Sequence, residues 1–181
     1  AIINQDPKNI EEESGDLLAA EFIKALSLSN KKVQIHGLVG EKLRHMINEA
    51  PTEVDRTVFN VMGLIDPFLN LPKILGERKK LLNYFLKQNI DIFIGVDSPD
   101  LNLYFHKNLK NKQDVMNIQL VSPSVWGWRP KRINLLKKYV DLTLCLFKFE
   151  HQFLQQNAVN SLHLGHPFSN IRQKNDQKNI I

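Results

Sequence analysis

Two short polar turns, each following an apolar run, contain the residues best suited to chemistry. The first covers residues 97–102 and follows the apolar run 92–96. The second covers 122–129 and follows the apolar pair Leu120–Val121, which ends the strand-like stretch 117–121. Each run is typical of a buried strand. In an open parallel sheet, ligands bind at the turns that follow the carboxyl ends of the strands. The sequence therefore predicts a binding site along one edge of a sheet.

Asp97 comes first in the earlier turn, at the mouth of the predicted strand. A carboxylate in that position is partly desolvated, which raises its pKa and suits it to accept a proton. The alternative interpretation is that Asp97 caps the following helix or holds the Ser98–Pro99 turn. Asp100, immediately before Leu101, is better placed as the cap. Both interpretations of Asp97 stay open at this point.

The later turn contains both tryptophans of the chain, Trp126 and Trp128, followed by Arg129. Indoles can form the wall of a site for a sugar or an acyl chain, and a guanidinium can hold a phosphate with two parallel hydrogen bonds. The alternative is a loop that two indoles anchor to its own domain.

The remaining candidates give no cofactor or metal site. His166 follows a predicted strand and could bind a ligand or serve structure alone; His163 and His166 lack the spacing of helical zinc ligands. Cys145 lies in an apolar run, where the thiolate is disfavoured, so it is a poor nucleophile. The segment Gly37–Gly40 does not satisfy the dinucleotide-binding fingerprint. We therefore expect no cofactor and no metal.

An apolar segment with basic residues after it covers residues 61–75. One interpretation is the start of a core helix. The other is an apolar patch with a cationic border, which is the layout of a membrane-surface contact.

Alternating elements must position these segments. Helical spacing is found over 17–26, 71–87, 101–109, 131–139 and 149–157, and strand-like runs over 33–35, 92–96, 117–121, 142–147 and 161–164. Such alternation predicts an α/β fold with a mostly parallel sheet and helices on both faces. We expect one domain over residues 14–172, after an irregular segment at 1–13 and before a disordered tail at 173–181.

The composition is that of an ordinary globular protein. Of 181 residues, 43% are apolar and 24% charged, with a net charge of +5. The Lys- and Asn-rich stretches favour a solvated surface over a nucleic-acid interface. No run reaches the length of a membrane span, and the single cysteine fits a reducing compartment.

Six segments, in order, resemble lipid-A-disaccharide synthase, a bacterial glycosyltransferase of the GT-B type. They are Ser-Gly-Asp-Leu-Leu at 14–18, Val-Met-Gly-Leu at 61–64, Ile-Gly-Val-Asp-Ser-Pro-Asp-Leu-Asn-Leu at 94–103, Val-Ser-Pro-Ser-Val-Trp-Gly-Trp-Arg at 121–129, Leu-Phe-Lys-Phe-Glu at 146–150 and Gly-His-Pro at 165–167.

This resemblance implies an enzyme on the cytoplasmic face of the inner membrane. It would transfer 2,3-diacylglucosamine from its UDP donor to 2,3-diacylglucosamine 1-phosphate with inversion. The resemblance implies a Rossmann-like half of a GT-B enzyme, with a C-terminal domain or a second copy as partner and no nucleic acid. It makes Asp97 the catalytic base. The implied substrate-binding residues are Ser14, Asp16, Asp100, Asn102, Ser122, Ser124, Trp126, Arg129 and His166, and the implied membrane contacts are Ile65, Phe68, Leu69, Leu71 and Leu75.

The chain departs from the family at three points. It corresponds to about the N-terminal half, an acidic run at 11–13 replaces the family's Ala-Gly-Glu turn, and residues 39–43 lack the proline and methionine of a family loop. A degenerate, non-catalytic membrane-associating or interaction module is therefore the alternative. A GT-B enzyme with another UDP-sugar is a third, which the Ser-Pro-Ser-Val-Trp loop disfavours.

Overall fold

A six-stranded parallel sheet organises the chain in its computed structural model. The structure describes residues 2–3, 13–28, 33–39, 41–55, 57–60, 71–125 and 131–166. The strands are β1 (Ile2–Ile3), β2 (Gly37–Leu38), β3 (Ile92–Val96), β4 (Met116–Leu120), β5 (Leu142–Cys145) and β6 (Ser161–His163). The helices are α1 (Glu13–Ser27), a 3₁₀ helix (Glu41–Met46), α2 (Thr57–Asn60), α3 (Leu71–Gln88), α4 (Pro99–Lys110), α5 (Arg132–Tyr139) and α6 (Lys148–Gln156).

The strand order is β2-β1-β3-β4-β5-β6, and each neighbouring pair is parallel. Val96, the last residue of β3, lies opposite Leu120, the last residue of β4, which in turn lies opposite Leu144 of β5. The central strands therefore end almost level, and the turns that follow them meet at one edge. We call this edge, made by residues 97–100 and 121–125, the rim.

Helices cover both faces of the sheet. On one face, Ala19 and Ile23 of α1 are buried with Ile94 and Val96 of β3. On the opposite face, helices α3 and α4 bury a cluster of phenylalanine rings against β3. Those rings belong to Phe85, Phe93 and Phe105, and their centroids lie 5.9–6.0 Å apart. Since successive side chains of a strand point to opposite faces, β3 contributes to both layers. The predicted α/β, Rossmann-like fold is confirmed.

Two strands differ from their predicted positions. The irregular segment expected over 1–13 contains β1, two residues that pair with β2 on one side and β3 on the other. The strand expected over 33–35 instead forms at Gly37–Leu38, because those residues lie beside β1. Pairing with neighbouring strands, on both sides for β1 and on one side for β2, and not local composition, determines where these short strands form.

Helix α4 begins earlier than predicted, which corrects the expected role of Asp100. Ser98 is the N-cap residue, Pro99 follows it, and the cap has no side-chain hydrogen bond. Proline suits the first helical position because its fixed φ is helical and its missing N–H would have no partner there. Asp100 therefore lies inside the first turn and is not the cap.

Several predicted site residues lie outside what the structure describes. These are Ile65, Phe68, Leu69, Trp126, Trp128 and Arg129, the tail 173–181, and the side chains of Ser14 and Asp16. Among the described residues, no helix combines the length and apolarity that crossing a membrane requires.

Candidate functional site

The rim joins the two predicted turns through main-chain hydrogen bonds. The Asp97 N–H donates to the Leu120 carbonyl oxygen at 2.9 Å, and the Val121 N–H donates to the Leu144 carbonyl oxygen at 3.1 Å. The sheet ladder thus continues one residue beyond each strand. These bonds bring the Asp97 turn beside the turn that leads into Ser122.

Three rim residues hold unusual backbone conformations. The φ angle is +49° at Asp97, +34° at Ser98 and +71° at Val121. Positive φ is uncommon for residues other than glycine, and for a β-branched residue such as valine it is an outlier. Each such residue costs about 1–3 kcal/mol and persists only when surrounding contacts enforce it.

Two buried amides supply those contacts. The Asn102 Nδ2 donates to the Val96 carbonyl at 3.1 Å and to the Asp97 carbonyl at 2.6 Å. The Gln119 Nε2 lies 3.0 Å from the same Asp97 carbonyl oxygen and 3.2 Å from the carbonyl oxygens of Leu120 and Val121. The Asp97 carbonyl therefore accepts two side-chain hydrogen bonds, which hold the turn that carries the carboxylate.

Asn102, for which the resemblance implied a substrate contact, is held inside the fold. Its side chain is fully buried between α4 and the sheet, where its amide nitrogen serves main-chain carbonyls. Gly95 makes this possible, because a Cβ at that position would lie 2.7 Å from both Cβ and Cγ of Asn102. Asn102 thus supports the rim from below.

Asp97 has the electrostatics of a proton acceptor. The residue as a whole is exposed at the rim. The surrounding protein nevertheless strips away part of its hydration and raises its pKa, while a hydrogen bond from the Ser98 N–H partly opposes the shift. A carboxylate with a raised pKa is a stronger base than an ordinary aspartate.

Asp100 projects from the first turn of α4 and pairs with α5. The Arg132 Nη2 donates to Asp100 Oδ1 at 2.5 Å, and the arginine side chain is 8% exposed against 58% for the aspartate. Nearby on α3, the Arg78 guanidinium lies 4.0 Å above the Tyr104 ring. Burial lowers the pKa of Arg78, and the electrostatic influence of Tyr104 and Asp100 counteracts that effect. Asp100 therefore balances positive charge beside the rim.

The other predicted residues divide by accessibility. Ser122 is buried, and its Oγ donates to the Pro123 carbonyl at 3.3 Å, so it does not face solvent, whereas Ser124 is exposed. The half-buried His166 ring lies 5.8 Å from the Phe147 ring. Phe147 itself stacks on Phe149 at 5.9 Å. His166 thus belongs to an aromatic group after β5.

Gln119, His106 and Gly95 support the rim, although sequence reasoning did not select them. Gln119 is a fully buried polar residue between Ile118 and Leu120 of β4, and His106 lies one helical turn after Asn102 on α4. Polar residues at core positions of a strand and a helix are the signal that could have revealed them. Within the described ranges, no three His, Cys, Asp or Glu residues are grouped to hold a metal ion.

Comparisons with known proteins agree with the motifs. A family model described as lipid-A-disaccharide synthetase matches residues 9–181. The lipid-A-disaccharide synthase 2 of Legionella pneumophila strain Philadelphia 1 is 39% identical over 163 residues, which are 90% of this chain and 41% of that protein. Lipid-A-disaccharide synthases of Saccharophagus degradans and Acinetobacter baylyi are 36% and 33% identical, over 92% and 91% of this chain and 42% and 41% of theirs. The chain thus spans about two fifths of the length of these relatives.

Proposed function

Because the chain belongs to the lipid-A-disaccharide synthase family, we propose that it forms the acceptor-binding part of a glycosyltransferase of lipid A biosynthesis. The proposed reaction transfers 2,3-diacylglucosamine from a UDP donor to 2,3-diacylglucosamine 1-phosphate. The single observation that carries the proposal is the placement of Asp97. It lies at the carboxyl edge of a parallel sheet, with a raised pKa and a firmly held main chain.

Asp97 acts as general base in this proposal. The acceptor hydroxyl attacks the anomeric carbon of the donor, and its proton passes to the Asp97 carboxylate. The new C–O bond forms as the bond from the anomeric carbon to the diphosphate breaks, and UDP leaves with that electron pair. Attack from the face opposite the leaving group inverts the anomeric centre. General-base catalysis of this kind contributes about 10²–10⁴-fold to a rate.

The other rim residues bind substrate in this scheme. Ser124 is exposed on the rim and can hydrogen-bond a sugar hydroxyl, and the guanidinium of Arg129 would hold a phosphate. The side chains of Asp100 and His166 would be the remaining polar groups around the bound substrates. The donor would be bound mainly by a C-terminal domain or a second copy of the chain, so we expect the 181-residue chain alone to have little or no activity.

A transfer assay tests the proposal. UDP release would be measured with both acylated substrates, for this chain alone and after it is fused to the remaining part of the Legionella relative. We expect turnover from the fused protein only, and a loss of about 100-fold or more in its Asp97→Asn variant. Near-normal turnover by that variant would show that Asp97 is not the base. Robust turnover by the chain alone would refute the need for a second part.

The start of α3 supports a contact with the inner face of the inner membrane. Leu71 and Leu75 are 44% and 50% exposed, and the exposed Lys79 follows them at the same helical spacing. Residues four apart share one face of a helix, so two leucines and a lysine form a stripe. An apolar stripe with a cation beside it suits a bilayer surface that carries anionic headgroups.

Vesicle co-sedimentation tests this contact. We expect a Leu71→Ser/Leu75→Ser double variant to bind vesicles of phosphatidylethanolamine and phosphatidylglycerol about tenfold or more weakly than the unchanged chain, because each buried leucine contributes about 1.5–3 kcal/mol. Leu162→Ser, a change of an equally exposed leucine in the edge strand β6, is the control. Equal binding by all three proteins would exclude the α3 stripe. Vesicle binding without transfer by the fused protein would favour a non-catalytic membrane-associating module.

A further inference from the structure

The Gln119 side chain has only one orientation that satisfies its neighbours. Its Nε2 lies within 3.0–3.2 Å of the carbonyl oxygens of Asp97, Leu120 and Val121. Carbonyl oxygens only accept hydrogen bonds, so the NH₂ group must face them. The Gln119 Oε1 therefore points away from the rim, toward His106.

His106 fixes that orientation. Its Nε2 lies 3.1 Å from the Gln119 Oε1, and because the oxygen only accepts, Nε2 must carry a proton. Burial lowers the pKa of His106 to about 4, so the ring is neutral at physiological pH and Nδ1 carries no proton. The Phe93 ring packs edge-on against the imidazole at 5.0 Å. The neutral, Nε2-protonated imidazole thus accommodates one orientation of the Gln119 amide.

We propose that Gln119 is a positioning residue for Asp97, and that His106 acts through it by orienting its amide. Gln119 links the two rim turns, because it bonds to the carbonyl of Asp97 after β3 and to that of Val121 after β4. Both linked residues have positive φ, so the amide stabilises conformations that the chain would otherwise leave. The effect of this positioning on sugar transfer rests on the proposed function. Its effect on the conformation and pKa of Asp97 does not.

A Gln119→Leu substitution removes the three donor contacts while keeping a side chain of similar size. We expect the Asp97 turn to relax and the carboxylate to gain hydration, which lowers its pKa toward the ordinary aspartate value. The measurement is an NMR titration of the Asp97 side-chain carbonyl carbon in the 181-residue chain. No substrate and no second domain are needed for it.

Asn117→Leu is the matched control. Asn117 lies two residues earlier on the same strand and the same face, is equally buried, and donates to the carbonyls of His106 and Tyr139 instead of the rim. Both substitutions should lower the unfolding midpoint. Gln119→Leu should move the Asp97 titration further than Asn117→Leu, because Asn117 touches the rim only indirectly, through its contacts with His106. An unchanged titration in Gln119→Leu, or equal changes in both variants, would overturn the proposal.

His106→Met tests the orienting step and replaces the main variant if Gln119→Leu does not fold. The substitution leaves the Gln119 amide in place but removes the imidazole N–H that donates to the Gln119 Oε1. We therefore expect the Asp97 pKa to fall, as in Gln119→Leu. An unaltered Asp97 titration in His106→Met would refute the role of His106.

In the fused protein, Gln119→Leu should lower kcat about tenfold or more with little change in KM, since small misplacements of a reacting group are costly. If the fused protein transfers no sugar but Gln119→Leu still shifts the Asp97 titration, the proposed function is refuted and the positioning role of Gln119 stands.

Discussion

Gly95 allows the close approach of α4 to β3 beneath the rim, and replacing it with alanine should destabilise the chain. The added methyl group would lie 2.7 Å from Cβ and Cγ of Asn102 and 3.0 Å from its Nδ2. Carbon atoms in contact normally lie about 3.5–4.0 Å apart, so α4 or the Asn102 side chain must move. Overpacking of this kind costs about 1–3 kcal/mol.

The displaced Asn102 adds a second cost. Its Nδ2 donates to the buried carbonyls of Val96 and Asp97, and leaving one such group without a partner costs about 1–3 kcal/mol. The two costs overlap, because the chain relieves the clash by giving up part of the hydrogen bonding. We therefore expect Gly95→Ala to lower the free energy of unfolding by about 2–4 kcal/mol.

Urea unfolding followed by circular dichroism measures this change, with Gly76→Ala as the control. Gly76 lies within α3, and a Cβ there would meet nothing within 4 Å. Alanine is better than glycine in a helix by about 1 kcal/mol, so the same substitution should stabilise the chain at this site. Opposite signs at the two glycines are the expected result. A neutral or stabilising effect of Gly95→Ala would refute the packing argument.

A double substitution identifies the contact responsible. In an Asn102→Ala background the Cγ and Nδ2 contacts are gone and the Cβ contact remains. Adding Gly95→Ala there should cost less than it does in the unchanged chain, since residues in contact do not contribute additively. Equal costs in both backgrounds would mean that Asn102 is not the obstacle.

Three further predictions concern titratable groups. Burial raises the pKa of Asp97 in the folded state, so the folded chain binds the Asp97 proton more tightly than the unfolded chain and should lose stability as pH rises through the folded pKa. Asp97→Asn should therefore be more stable than the wild type at pH 7 in urea unfolding, and equal stabilities would contradict this. Burial disfavours ionisation of Asp141, but hydrogen bonds from the Asn117 N–H and from Lys110 outweigh this effect and lower the pKa of Asp141. Asp141→Asn should therefore lower the free energy of unfolding by about 1 kcal/mol at pH 7, and this difference should vanish as pH falls through the folded pKa. A difference that does not depend on pH would contradict the prediction. Burial raises the pKa of Cys145 to about 12, so iodoacetamide at pH 8 should label the unfolded chain but not the native one; labelling of the native chain would show an accessible thiol.

The central elements could be predicted because their local signals agree with their environment. The apolar run at 92–96 became β3 without change, and the long periodic pattern from residue 71 became α3. The two-residue strand β1 carries no periodicity, since two residues cannot show one, and it exists only through pairing with strands far along the chain. No reading of local sequence contains that information.

The rim was predicted in place, but the roles of its residues were not all predicted. Strand ends alone locate Asp97 at the sheet edge, because the topology of a parallel sheet determines where such turns meet. The role of Asn102 depends on which face of α4 is buried against the sheet. Asn102 and His106 lie four residues apart on that face, and both are fully buried, as are Phe105 and Leu109. That spacing was visible in the sequence. A motif residue on a buried helical stripe is placed to support a site from within the fold, since contact with a ligand needs access.

The strained turns and the buried amides of the rim require one another. A strand that bends sharply after its last residue turns the carbonyls of Asp97 and Val121 away from the ladder, and buried carbonyls without partners are costly. Asn102 and Gln119 satisfy them, yet these amides would themselves be buried without acceptors if the turns were ordinary. Neither arrangement is stable alone, and both are held by contacts within this chain. The geometry of the proposed base is thus built into this part of the fold, and a partner domain would need to supply substrate contacts but not the shape of the rim.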